Sequence, residues 1–271
     1  MLERMQNIDR RIIFLLLAVA VGFPLVKPLG MPLSIRSWTR TSYELVSGLK
    51  PGEIVMLSTD YGVGMQADIH DQVIAIFDQL MRQNVRVIGV SFNPQGARFL
   101  NGFIKQYEAR GKKYGVDFAE FGYVAGGEAG LSAFMGDIVK TCPKDARGND
   151  PASLPIMSGI KNLGNCRLFL GFCDGVPGGR EYVRQLTQYK VPLVVGTVTV
   201  SATEFEPYVQ SKQMAGLIPG LRGAAEYEML SGRPGNALAG MDAQSAGHMV
   251  IILSVILCNI GLLATRSKKA K

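Results

Sequence analysis

Residues 53–92 read EIVMLSTDYGVGMQADIHDQVIAIFDQLMRQNVRVIGVSF, and this stretch decides the fold. A short apolar run (53–58, EIVMLS) and a second one (86–92, RVIGVSF) bracket a longer helical stretch over 66–83. Strand, crossover helix and second strand make a βαβ unit, in which the two strands run parallel. The same alternation continues outward. Further strands are predicted at 116–124 (VDFAEFGYV), 167–173 (RLFLGFC) and 192–198 (PLVVGTV). Helices are predicted at 95–110, 128–141 and 179–189, with a long one near 207–230. Residues 143–164, rich in Pro, Asp, Asn and Gly, read as an insertion with a short helix.

Apolar runs of this kind suit strands buried on both faces, hence a parallel sheet with right-handed crossovers. The expected fold class is α/β, a three-layer sandwich with about five mostly parallel strands. In architecture it resembles Rossmann-like or flavodoxin-like bodies. Nothing resembling a linker divides it.

Two apolar runs flank this body. Residues 246–264 (AGHMVIILSVILCNIGLLA) carry no formal charge and are followed by TRSKKAK. That length crosses ~30 Å of hydrocarbon as a helix. Residues 12–26 (IIFLLLAVAVGFPLV) are apolar up to Lys27, and counting through Ile35 reaches a spanning length. Pro24, Pro28 and Pro32 predict that its outer half is kinked or unwound. Ala18-Val19-Ala20 resembles a signal-peptide cleavage site, but the run is read as an anchor. The expectation is a transmembrane helix at each end, with segments 1–35 (cytoplasmic N-terminus and anchor), 36–245 (extracytoplasmic domain) and 246–271 (transmembrane helix and basic cytoplasmic tail).

Charge supports a topological reading. Of 29 Lys and Arg, eight flank the two apolar runs, and of 22 acids only Glu3 and Asp9 lie outside 28–265. The body therefore holds 21 basic against 20 acidic residues, a net of +1. A nucleic-acid partner is excluded on this balance. By the positive-inside bias, Arg10, Arg11 and the basic tail place both termini in the cytoplasm and the main domain outside, periplasmic or extracellular.

Ligands of open α/β sheets bind beyond the carboxyl ends of the strands. Thr59, Asp60, Asn93, Glu128 and Asp174 fall there, and Asp60 with Asp174 reads either as a two-carboxylate site for a polar ligand or cation, or as a pair of loop and helix caps. Gly62-Val63-Gly64 lacks the full dinucleotide fingerprint, since Ala67 stands where a third Gly belongs. His70 lies in Asp68-Ile69-His70-Asp71, whose adjacent helical positions point apart. There is no G-x-S-x-G elbow and no paired zinc spacing. Neither a metal site nor a cofactor is expected, and the catalytic residues are left unassigned.

Cys258 falls in the second apolar run, leaving three other cysteines. Cys166 and Cys173 bracket one strand and stand too far apart to bond. The disulfide candidate is Cys142–Cys166, the alternative being free buried thiols. The stretch 213–247 is dominated by Gly and Ala. Gly216, Gly220, Gly223 and Ala224, with Asn259 in the second apolar run, read either as a self-association surface beside the membrane or as close internal packing.

The expected function is that of a non-catalytic subunit or scaffold in a homo-oligomeric membrane assembly. Its partners would be lipid, further copies of the chain and other membrane proteins. The alternative is a membrane-tethered enzyme or sensor binding a polar small ligand near Asp60 and Asp174.

Overall fold

The computed structural model describes residues 9–269, with side chains to residue 263. The basic residues Arg4 and Lys271, and the side chains of Arg266, Lys268 and Lys269, lie outside the described residues. The described residues form two compact units, 34–233 and the two ends, 9–33 with 234–269.

The larger unit is an α/β domain. In chain order it comprises α2 (Ser37–Ser47), β1 (Ile54–Asp60), α3 (Gln66–Arg82), β2 (Arg86–Ser91), α4 (Pro94–Glu108), β3 (Phe118–Tyr123), α5 (Gly127–Gly136) and α6 (Ile138–Thr141). It continues through β4 (Leu168–Cys173), α7 (Gly179–Leu186), β5 (Leu193–Thr197), α8 (Ala202–Gln210), β6 (Gly216–Pro219) and α9 (Gly220–Leu230). All six strands are parallel, in the order β3-β2-β1-β4-β5-β6. This is the strand order of a Rossmann sheet, which reverses between β1 and β4.

Side chains alternate across the sheet, so each strand feeds two cores. Met56, Ile88, Phe169, Val195 and Leu217 face one side, packed with Leu131 and Phe134 of α5 and Tyr182 of α7. Val55, Leu57, Val87, Leu170 and Ile218 face the other, packed with Ile69, Val73, Ile76, Phe77 and Leu80 of α3. Both faces are dry, which is why the strands read as unbroken apolar runs.

The long helix expected near 207–230 is instead two helices separated by a sixth strand. Backbone pairing of Leu217 with Val195 and Ile218 with Gly196 makes 216–219 an edge of the sheet. Gly220, at φ +58°, then turns the chain sharply into α9.

The smaller unit holds α1 (Arg10–Val26) and α10 (Asn236–Lys269). Asp9 caps α1 by accepting the Arg11 N–H at 2.9 Å. α1 stops at Val26 and residues 27–36 are not helical, because Pro28 and Pro32 withhold amide protons and Gly30 takes φ +66°. Its 17 residues span about 26 Å at ~1.5 Å per residue, short of ~30 Å of hydrocarbon. The expectation of two spanning helices is thus corrected. Among the described residues one helix, Asn236–Leu263, is long and apolar enough to cross a membrane.

α1 packs along α10, where a side chain added at Gly247 would meet Val21 and Leu17 at 3.2 and 3.6 Å. The non-helical link after α1 is pinned to α10 by one carboxylate. Asp242, 2% exposed, accepts the N–H groups of Leu29, Gly30 and Met31 at 2.7, 2.8 and 3.0 Å.

Candidate functional site

The carboxyl ends of β1, β2, β4 and β5 form the edge at which ligands of this fold class bind. Asp60, the last residue of β1, is turned inward and is 2% exposed. Its Oδ1 accepts the Phe92 N–H at 2.5 Å and the Ser91 hydroxyl at 3.3 Å. Its Oδ2 accepts the Ser58 hydroxyl at 2.5 Å and the Tyr182 hydroxyl. Burial pushes its carboxyl up to about 6, against the opposing pull of these four donors. Asp60 therefore joins the ends of β1, β2 and α7 and has both oxygens occupied.

Asp174 follows β4 and is half-buried. Its Oδ2 accepts the Gly62 N–H at 2.8 Å, and the neighbouring Val63 N–H goes to Gln95 Oε1 at 2.8 Å. In a nucleotide-binding domain the amides of this first strand-to-helix turn face a phosphate. Here acceptors from the chain itself, Asp174 after β4 and Gln95 in the first turn of α4, hold two of them.

The other expected positions are also partnered within the fold. Thr59 donates its hydroxyl to the Gly96 carbonyl at 3.0 Å, on the underside of α4. Asn93 caps α4, its side-chain oxygen accepting from Gln95 and Gly96 while Pro94 begins the helix. Glu128 accepts from Arg184 Nε and Nη2, both at 2.7 Å, and from Gln185 at 2.7 Å. Asp60 and Asp174 are neighbours along the edge, yet only Asp174 borders open space.

That space is a cleft of about 260 Å³ between the ends of β4 and β5 and the starts of α7 and α8. Asp174, Val176, Arg180, Thr197, Ser201 and Glu204 contribute to its wall. Arg180 of α7 and Glu204 of α8 form an ion pair, their side chains 58% and 40% exposed. Neither residue stands out in the sequence. Arg180 is one of many surface cations, and 24 positions separate it from the carboxylate that the fold brings to it.

His70 is a packed residue. Its Nδ1 is hydrogen-bonded to the Tyr61 hydroxyl at 2.9 Å, and its ring lies 5.3 Å from Phe99 and 4.8 Å from Phe103. Burial holds its pKa below the usual histidine range, favouring the neutral ring.

All four cysteines are free thiols, so the Cys142–Cys166 disulfide is not formed. Both lie in or against the same apolar core, where burial pushes the Cys142 thiol up and the Cys166 thiol up to about 12. A thiol held protonated is a poor nucleophile and a poor partner for oxidation. Among the described residues no three His, Cys, Asp or Glu side chains are grouped to hold a metal ion.

The small residues proposed for self-association are turned inward instead. Gly216, Gly220, Gly223 and Ala224 are all buried. A side chain at Gly216 would fall 2.2 Å from Ser42 Oγ, and one at Gly220 would fall 1.9 Å from Thr199 Oγ1. They let α2 and the β5–α8 turn approach the sheet edge. Asn259 is exposed on α10, its amide donating to the Val255 carbonyl at 2.9 Å.

No family model, curated protein or solved structure matches the chain.

Proposed function

We propose that the chain is a membrane-anchored, non-catalytic α/β protein, acting as a binding or scaffold subunit of a membrane assembly. The observation that carries this reading is the commitment of polar groups at the carboxyl edge to internal partners. Asp60, Thr59 and Asn93 each stabilise a turn or helix start, and Glu128 bridges α5 to Arg184 of α7, leaving the edge built for shape. The apolar surface of α10 supports the anchor, with Ile252, Leu253 and Leu263 each more than half exposed. In this reading α10 crosses the lipid, the basic tail at its C-terminal end faces the cytoplasm, and the α/β domain is extracytoplasmic. Expected partners are lipid, further copies of the chain and other membrane proteins.

Two measurements test it. Washing membranes with alkaline carbonate should leave the chain in the pellet, and light scattering in mild detergent should give a mass above one chain. Release into the wash removes the anchor; a strictly monomeric particle removes the assembly.

A second reading is favoured by one specific observation, the cleft bordered by Asp174, Arg180 and Glu204. In that reading the domain is a tethered sensor or receptor for a polar small molecule.

A further inference from the structure

The geometry points to the cleft between the starts of α7 and α8 as a site for a compact zwitterion with an apolar substituent, of the α-amino acid class. This rests on the second reading above and names its ligand. The charges carry the argument. Arg180 and Glu204 meet from two different helices, and among the described residues each is the other's one ion-pair partner. Both side chains are substantially exposed, so the pair contributes little to folding and is cheaply opened.

A ligand with only one charge would satisfy one of these residues and strand the other. A ligand carrying a carboxylate and an ammonium satisfies both, exchanging one ion pair for two with no net change in charge. The remaining wall favours the ammonium end. Asp174 adds a second carboxylate beside the cleft with one oxygen held by the Gly62 N–H, whereas both oxygens of Glu181 are engaged, by the Gly178 N–H and by Arg184. The hydroxyl-bearing Ser201 also contributes to the wall.

Two further observations limit the ligand's size and character. The cleft's 260 Å³ falls below the ~300 Å³ at which pockets for drug-sized ligands begin, which restricts the site to a small molecule. Val176, in the wall, is 81% exposed. Apolar side chains left in water at a polar cleft gain from covering an apolar substituent.

The test is equilibrium dialysis of the full chain in detergent with labelled L-leucine. Three competitors each lack one feature: 4-methylpentanoate the ammonium, 3-methylbutylamine the carboxylate, and glycine the apolar group. Leucine should bind with a Kd below about 1 mM and each competitor at least about tenfold more weakly. Arg180→Gln and Glu204→Gln should each weaken leucine at least about tenfold, with unchanged melting since both sites are exposed. The exchanged pair, Arg180→Glu with Glu204→Arg, should recover part of that loss. Equal binding of a singly charged competitor overturns the zwitterion while leaving a ligand cleft. Failure of all four to bind a folded chain removes the cleft reading as well.

Discussion

Tyr182 and Asp60 are joined by a buried hydrogen bond across 122 positions of sequence, which ties the first turn of α7 to the end of β1. The Asp60 carboxyl is raised from 3.8 to about 6 by burial. Its folded value lies above its unfolded one, so the folded state binds the proton more tightly. The stability it contributes is complete below about pH 4 and lost as pH rises through about 6. Asp60→Asn should therefore flatten the fall in melting temperature between pH 5 and pH 7, read by thermal melts at three pH values. An unchanged slope would place the titration elsewhere.

Glu226 of α9 has no exposed side-chain surface, and it pairs with Arg36 at 2.8 Å and Arg222 at 3.1 Å. Removing the carboxylate strands Arg36, whose side chain is 26% exposed. Breaking a fully buried pair costs about 3–5 kcal/mol, and the partial exposure of both arginines lowers the expectation for Glu226→Ala to about 2–3 kcal/mol. Chemical denaturation measures it directly.

Gly216→Val separates internal packing from self-association. With Ser42 Oγ at 2.2 Å from the added carbon, the substitution should cost at least about 1–3 kcal/mol and leave the detergent particle's mass unchanged. A change in mass with normal melting would return Gly216 to an interface.

Cys166 and Cys173 should resist thiol reagents. At pH 8 the native chain should react at these two sites at least about a hundredfold more slowly than the chain in guanidinium, because burial suppresses the thiolate. Rapid labelling of both in the folded state would contradict their placement in the core.

Asp242→Ala removes the acceptor shared by Leu29, Gly30 and Met31. Hydrogen exchange at those three amides should accelerate sharply, while α3 and the central strands keep their protection.

The elements legible in the sequence are those whose signal is their own composition. Residues 54–60, 86–91 and 168–173 announce themselves as doubly buried strands. β6 is not legible, because four residues opening on Gly216 and closing on Pro219 carry too little apolar pattern. Backbone pairing with β5 is what makes them a strand. In the small unit, Pro28 and Pro32 predicted the unwinding after α1, but counting apolar residues through Ile35 overstated the helix. At the candidate site, Asp60 and Asp174 are visible as acids that follow strands. Their different fates are not, since one is decided by Tyr182 and Ser91 and the other by Gly62, all from distant elements. Arg180 and Glu204 meet only because α7 and α8 begin at adjacent strand ends.

The strand order has a temporal consequence. β1 is central, and its partner β4 lies far downstream, with Val55 beside Leu168, 113 positions later. At ~5–20 residues per second, synthesis of that interval takes on the order of ten seconds. Throughout it, one edge of β1 has no native neighbour, so a nascent chain must be shielded until β4 emerges.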